Sequence, residues 1–292
     1  MRCAVLALLA IALGGCASTR GATGRAIETA APGVDSVTIA LWHFDETGGT
    51  RAADAGPLHL DGRSGLDSRT DFGRFRNARL FTRSIDSFAL VPYHPALDPI
   101  QGFTLEAWLQ PTAFGPYEMT PVAAQWTMQA NEQSWIFAVM GHDTPAAFSS
   151  LPSPNLLRPY VGSGREGQLA FIFQPDEAGN VRVFYSSAVL ELNRWTHVAV
   201  TFDGTVVRFY FDGQLDSQYA VRGRIRGSRV PLLLANFFDY RWLSDFGGDL
   251  RVTTGFDSNP YYAYSGLIDE LRLSSVARPD FPYARYRYEH GR

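Results

Sequence analysis

The chain has 292 residues, 46% of them hydrophobic and 13% aromatic, and a formal net charge of −3. Such a length carries a core large enough to stand without covalent staples. The near-neutral charge excludes the broad basic field of a nucleic-acid binder, and two cysteines, Cys3 and Cys16, leave no disulfide framework for the residues beyond them.

Arg2 followed by an apolar run over 4–13 has the form of an export signal, too short for a permanent membrane span. Leu13-Gly14-Gly15-Cys16 then resembles a bacterial lipobox. That resemblance implies removal of residues 1–15 as a signal peptide and a lipid on Cys16. With Ala17 rather than Asp after the cysteine, it also implies residence at the outer membrane or cell surface. Residues 16–35, rich in Ala, Gly, Ser and Thr, read as a flexible tether, and the folded domain is expected over 36–292. No later apolar run approaches the roughly 18 residues of a spanning helix, so membrane contact is expected through the lipid only.

From residue 37 onward the pattern is that of strands and turns. VTIALWHFD (37–45) has strand character, a Gly/Asp-rich loop follows over 54–65, and short strands are predicted at 79–81 and 87–92. GFTLEAWL (102–109) alternates cleanly, and further strands are predicted at 121–126, 134–140 and 168–173. NRWTHVAVTFDGTVVRFYFDG (193–213) is the strongest stretch: a half-buried strand, Asp203-Gly204, a second strand and Asp212-Gly213 make an antiparallel meander. GLIDELRL (266–273) is the last predicted strand. No helical period of useful length and no internal repeat interrupts this series.

Four of these segments, LWHFDETGG (41–49), FTLEAW (103–108), the meander and GLIDELR (266–272), resemble in order the motifs of laminin G-like domains. The resemblance spans about 36–281 and implies an all-β fold: a two-sheet antiparallel sandwich, the jelly roll of concanavalin A-like lectins and glucanases. The chain departs from that pattern by insertions at 141–167 and 230–250, the second too aromatic to be disordered.

Catalytic chemistry finds little footing. A retaining glycosidase needs two carboxyls about 5–5.5 Å apart, hence on one strand face, whereas Asp269 and Glu270 are adjacent and point oppositely. There is no zinc-binding HExxH, no nucleophile elbow and no phosphate loop. His197, Glu106 and Trp108 read as structural. By strict alternation Asp269 shares a face with Leu267, Leu271 and Leu273, where a carboxylate needs a partner. The resemblance implies a structural calcium ion at the junction of the first and last strands, with Asp45, Asp54 and Asp269 as oxygen ligands.

The aromatic insertion supplies a surface for sugars, with Tyr240, Arg241, Trp242, Tyr261 and Tyr262 as ligand-binding candidates beside Phe237, Phe238 and Asp239. Arg222, Arg224 and Arg226 alternate on what reads as a solvated outer strand. The favoured reading is a non-enzymatic recognition lipoprotein of the cell envelope that binds carbohydrate, a polysaccharide or glycan. The alternatives are a glycoside hydrolase or polysaccharide lyase of the same fold, using acids such as Glu118, Glu132 or Asp143, and a domain that binds an envelope protein.

Overall fold

The computed structural model describes residues 31–98, 102–115, 119–127, 129, 131–142, 164–176, 180–253 and 262–284. The export signal, Cys16, Glu118, Asp143, most of the first insertion and Tyr261 lie outside the described residues.

Two eight-stranded antiparallel sheets make a sandwich, as the segment pattern predicts. The first runs β14 (Gln214–Ala220), β13 (Val206–Phe211), β12 (Thr196–Phe202), β7 (Phe103–Ala113), β18 (Ser265–Ser274), β5 (Asn77–Phe81) and β4 (Arg69–Phe72), with β1 (Thr38–Trp42) also paired to β18. The second runs β11 (Arg182–Val189), β10 (Gln168–Phe173), β9 (Gln133–Met140), β8 (Met119–Trp126), β15 (Leu232–Leu234), β6 (Ala89–Val91), β3 (Gly62–Ser64) and β2 (Arg51–Ala52). A separate hairpin, β16 (Leu243–Phe246) with β17 (Asp249–Val252), is formed by the second insertion.

The core between the sheets is filled by alternate residues of each strand: Val198, Val200 and Phe202 of β12 meet Trp135, Phe137, Phe171 and Phe173 from the opposite sheet. The aromatic rings touch in tilted pairs, Phe103 lying 5.6 Å from Trp135 and 5.4 Å from Phe171, a geometry their quadrupoles favour. The meander closes largely as its sequence requires. Asp212 and Gly213 both take positive φ, 46° and 70°, in a two-residue turn that matches the strand twist. At the other turn Gly204 alone is left-handed, with φ 87°. There the Asp203 carboxylate closes the loop by accepting the N–H groups of Thr205 and Val206.

β12 departs from expectation in being buried on both faces. Its outward residues His197, Ala199 and Thr201 lie under a segment near the C-terminus: Phe281 and Ala284 are fully buried against Trp108, Ala199 and Tyr210. Beneath that roof lies Glu106, with no exposed surface. Its carboxylate accepts from Arg272 Nε at 2.8 Å, pairs with His197 Nε2 at 3.0 Å and accepts the Tyr283 hydroxyl. Burial alone pushes the Glu106 pKa up, but the His197 and Arg272 charges and the hydroxyl outweigh it and hold it below its ordinary value. Arg272 also reaches the Gly33 carbonyl at 2.7 Å, and Asp35 pairs with Arg278 at 2.8 Å. The end of the expected tether is therefore docked on the sandwich from Gly33 onward.

Arg222, Arg224 and Arg226 are not on a strand. They flank Ile225, a buried residue that makes a single bridge to Pro175 in an extended connection. The sheet-edge strands β2, β4 and β11, and β3 beside β2, carry no strong periodic signal; β11 has just one buried residue, Ser186.

Replacing Glu106 by Ala would strand the Arg272 and His197 donors in a dry site. Unfolding in urea should show a loss of about 3–5 kcal/mol. Tyr283→Phe, which removes one hydrogen bond, should cost about 1–3 kcal/mol. Equal stability of wild type and Glu106→Ala would refute the network's role.

Candidate ligand-binding cleft

The outer face of the first sheet holds a cleft of about 630 Å³, within the range typical of small-molecule sites. Its walls come from three places in the chain. Trp108 projects from β7 and Trp195 from the residue before β12; Trp108 is 2% exposed and Trp195 half-buried. Arg194 precedes Trp195, and Phe211, Asp212 and Gln214 come from the β13–β14 turn. Arg74 closes the third side from the tip of the β4–β5 hairpin.

That tip is held in place by Asp269. Phe75 N–H donates to Asp269 Oδ2 at 2.9 Å, and the Arg74 N–H donates to the same side chain. Gly73 lets the turn approach this closely: a Cβ there would stand 2.6 Å from Asp269 Oδ2 and 2.4 Å from the Asn77 carbonyl. Phe75 packs edge-on to Trp108 at 5.9 Å, and the Arg74 guanidinium lies 5.0 Å over the Trp108 ring.

The face of Asp269 is a correction to strict alternation. Glu270 takes φ 54° and the pairing of β18 with β7 shifts between Asp269 and Arg272. This bulge sends Leu271 and Leu273 into the inter-sheet core and leaves Asp269, opposite Trp108, on the outer face with Arg272. Burial is the chief cause that pushes the Asp269 pKa up to about 8, with Glu270 and Asp45 adding repulsion against the Phe75 N–H. Its Oδ1 is buried with no hydrogen-bond partner. Glu270 itself turns to His43, Nδ1 to Oε2 being 2.6 Å, and holds the imidazole above its usual pKa.

The expected calcium ligands are not gathered into one cage. Asp54 accepts three backbone N–H groups, from Leu41, Gly56 and Leu60, each at 2.7 Å, and so ties the first strand to the loop after it. Asp45 accepts from Asn77 N at 3.1 Å and faces Arg76 at 3.5 Å. Among the described residues no group of three or more His, Cys, Asp or Glu side chains has metal-binding proximity.

The aromatic insertion divides. Phe238 is buried with Phe88, Leu233 and Leu250, and Phe237 packs edge-on to Tyr262 at 5.6 Å, both over the outer face of the second sheet. Tyr240, Arg241 and Trp242 form a short 3-10 turn capped by Asp239. Trp242 is 40% exposed there, while Arg241 stacks on Tyr240 at 4.7 Å and pairs with Asp239 and Glu132. Glu132 is thereby an ion-pair partner and also accepts from Thr127. Tyr262 is on a different surface patch from Trp108 and Trp195. Of the cleft residues, Arg194, Trp195, Phe211 and Asp212 lie in the meander and Gln214 follows it; nothing local announces that the hairpin tip at Arg74 and Phe75, 34 and 33 residues before Trp108, folds over it.

This architecture is a two-sheet jelly-roll sandwich, similar to concanavalin A-like domains. A family model described as the concanavalin A-like lectin/glucanases superfamily, Laminin_G_3, matches residues 143–280. The binding domain of Paraclostridial Mosquitocidal Protein 1 is similar at TM-score 0.54 and 11% identity, covering 83% of this chain and 49% of that one. Domain 4 of AbnA, a GH43 extracellular arabinanase of Geobacillus stearothermophilus solved with arabinotriose, gives 0.51 and 15%, with 82% and 93% covered. The binding domain of botulinum neurotoxin serotype G gives 0.53 and 11%, with 82% and 48% covered. The chain spans about half the length of the toxin domains, and these identities establish shared fold alone. No curated protein matches the sequence.

The raised Asp269 pKa carries a sign. Against an unfolded value of about 3.9, its contribution to stability is complete below pH 4 and is lost as pH rises through about 8. Asp269→Asn removes that dependence. The melting temperature of the variant relative to wild type should therefore rise between pH 5 and pH 9, and a constant difference would contradict the assignment.

Proposed function

We propose that this chain is a non-catalytic recognition domain whose ligand is a carbohydrate, bound in the cleft between Trp195 and the Arg74 tip. The observation that carries the reading is the lining itself. The partly exposed indole of Trp195, over a floor formed by buried Trp108, shares one concavity with the planar polar groups of Arg74, Arg194, Asp212 and Gln214. Apolar ring faces suit the C–H face of a pyranose, and planar side chains suit paired hydroxyls. Among the described residues Asp212 is the one carboxylate in the lining, and its Oδ1 already accepts the His197 N–H at 3.0 Å. A hydrolase would need a second carboxyl opposite it, which supports binding over cleavage. The similarity to a domain solved with arabinotriose points the same way.

A second surface, the turn bearing Tyr240, Arg241 and Trp242, is favoured by the 40% exposure of Trp242. It would serve a longer polymer as a separate contact. We also hold to export and lipidation at Cys16, with the domain at the outer membrane or cell surface, as the reading that the N-terminal sequence supports. Calcium is proposed at Asp269 on one ground, that among the described residues its buried Oδ1 has no hydrogen-bond partner. A cation there would keep the carboxylate ionised, so calcium should raise the melting temperature of wild type and leave Asp269→Asn unmoved.

Retention on a panel of soluble and insoluble polysaccharides, with release of new sugar ends followed in parallel, tests the function. Trp195→Ala is expected to abolish retention in a folded protein, and Tyr240→Ala with Trp242→Ala to weaken it on long polymers only. Release of sugar ends would replace this reading by the glycan-cleaving one. No retention on any sugar would leave an envelope protein as the partner.

A further inference from the structure

We propose that the cleft selects an acidic glycan, one whose sugar carries a carboxylate, and that Arg194 and Arg74 read that group. The inference rests on the carbohydrate reading of the same cleft and adds the charge of its ligand.

Among the described residues two guanidinium groups and one carboxylate, Asp212, line the cleft, and Glu191 is paired to Arg194. Burial is the main influence on the Asp212 pKa and pushes it up, against the His197 N–H and the Arg194 and Arg74 charges. Arg194 is already shown in use as a carboxylate reader. Its Nη1 lies 3.1 Å from Glu191 Oε1 and its Nη2 3.4 Å from Asp212 Oδ2.

The Glu191 contact is a weak one. Both side chains are more than half exposed, at 55% and 67%, where ion pairs add little to stability. A ligand carboxylate arriving from solvent can take the place of Glu191 on Arg194, exchanging one solvated partner for another. Arg74 is the opposite case. Its guanidinium is laid on the Trp108 ring at 5.0 Å, and its backbone is held by Asp269, so its charge is offered at low conformational cost. A sugar ring stacked on Trp195 would carry its carboxylate between a displaceable pair and a fixed one.

A matched pair of probes separates charge from ring. Tetragalacturonic acid and its fully methyl-esterified form have the same rings, and only the first is anionic. Titration calorimetry on the full chain should give about tenfold tighter binding of the acid, falling with added salt. Arg194→Gln and Arg74→Gln should each bring the acid down to the affinity of the ester while leaving the ester unchanged, with melting temperatures checked. Arg194→Gln alone suffices if Arg74→Gln fails to fold.

Equal affinity for acid and ester, both lost in Trp195→Ala, would overturn the inference and leave the carbohydrate reading standing. A preference for the acid that survives both arginine substitutions would overturn it as well. Binding of neither probe would reject the acidic specificity, and the neutral members of the polysaccharide panel would then decide the broader reading.

Discussion

A carboxylate with no exposed surface organises this molecule. Glu106 is in β7, at the middle of the first sheet, and its neighbours come from every part of the chain that must close over it: His197 from β12, Arg272 from β18 and Tyr283 from the terminal segment. A buried charge is tolerated when geometry and hydrogen bonds are complete, and it penalises strongly any arrangement in which one partner is missing. The same Arg272 reaches back to Gly33. Glu106 thus makes the closing of the sandwich at both ends of the described chain conditional on one register of β7, β12 and β18. An apolar residue at this place would pack, yet it would not distinguish that register from a slipped one.

The bulge at Glu270 extends this logic to the cleft. A strand with unbroken alternation would have put Asp269 and Arg272 on opposite faces and so forced one of the two between the sheets. One residue in the left-handed region resolves this conflict. Arg272 meets Glu106, and Asp269 is free to accept the N–H groups of the 73–76 turn. The strain at Glu270 is offset by its pairing with His43. The tip bearing Arg74 and Phe75 therefore lies over Trp108 because of an irregularity in the last strand.

The sandwich was legible from the sequence because its strands are bounded by turn residues and carry period-two hydrophobic order. Phe103–Ala113, Gln168–Phe173 and the strands flanking Asp203-Gly204 were all placed within a few residues. What escaped were elements whose burial depends on remote partners. The outer face of β12, His197 with Ala199 and Thr201, looks half polar in sequence and is dry because of Phe281 and Ala284. The face of Asp269 was misread because a bulge has no compositional mark when the bulged residue is Glu rather than Gly. The aromatic insertion was expected to present its rings together, yet Phe237 and Phe238 are consumed in covering the second sheet, which leaves Trp242 as its exposed indole. A run of aromatic residues in sequence does not say which of them face inward when the segment itself must supply a roof.

The two exposed aromatic places also differ in how much order they already possess. Trp242 stands on a three-residue turn held by surface ion pairs, contacts that water and salt weaken. The cleft is built on the central strand of a sheet, and its Trp108 is clamped by Phe75, Arg74 and His197. Binding to a flexible polymer must overcome the ordering of the ligand, so a site with part of its wall already fixed has the advantage. By that measure the cleft, and not the aromatic ridge that first draws attention in the sequence, is where a single saccharide unit would gain most from this fold. The energy that fixes it there originates with Glu106 and Asp269, two acids that never meet the ligand.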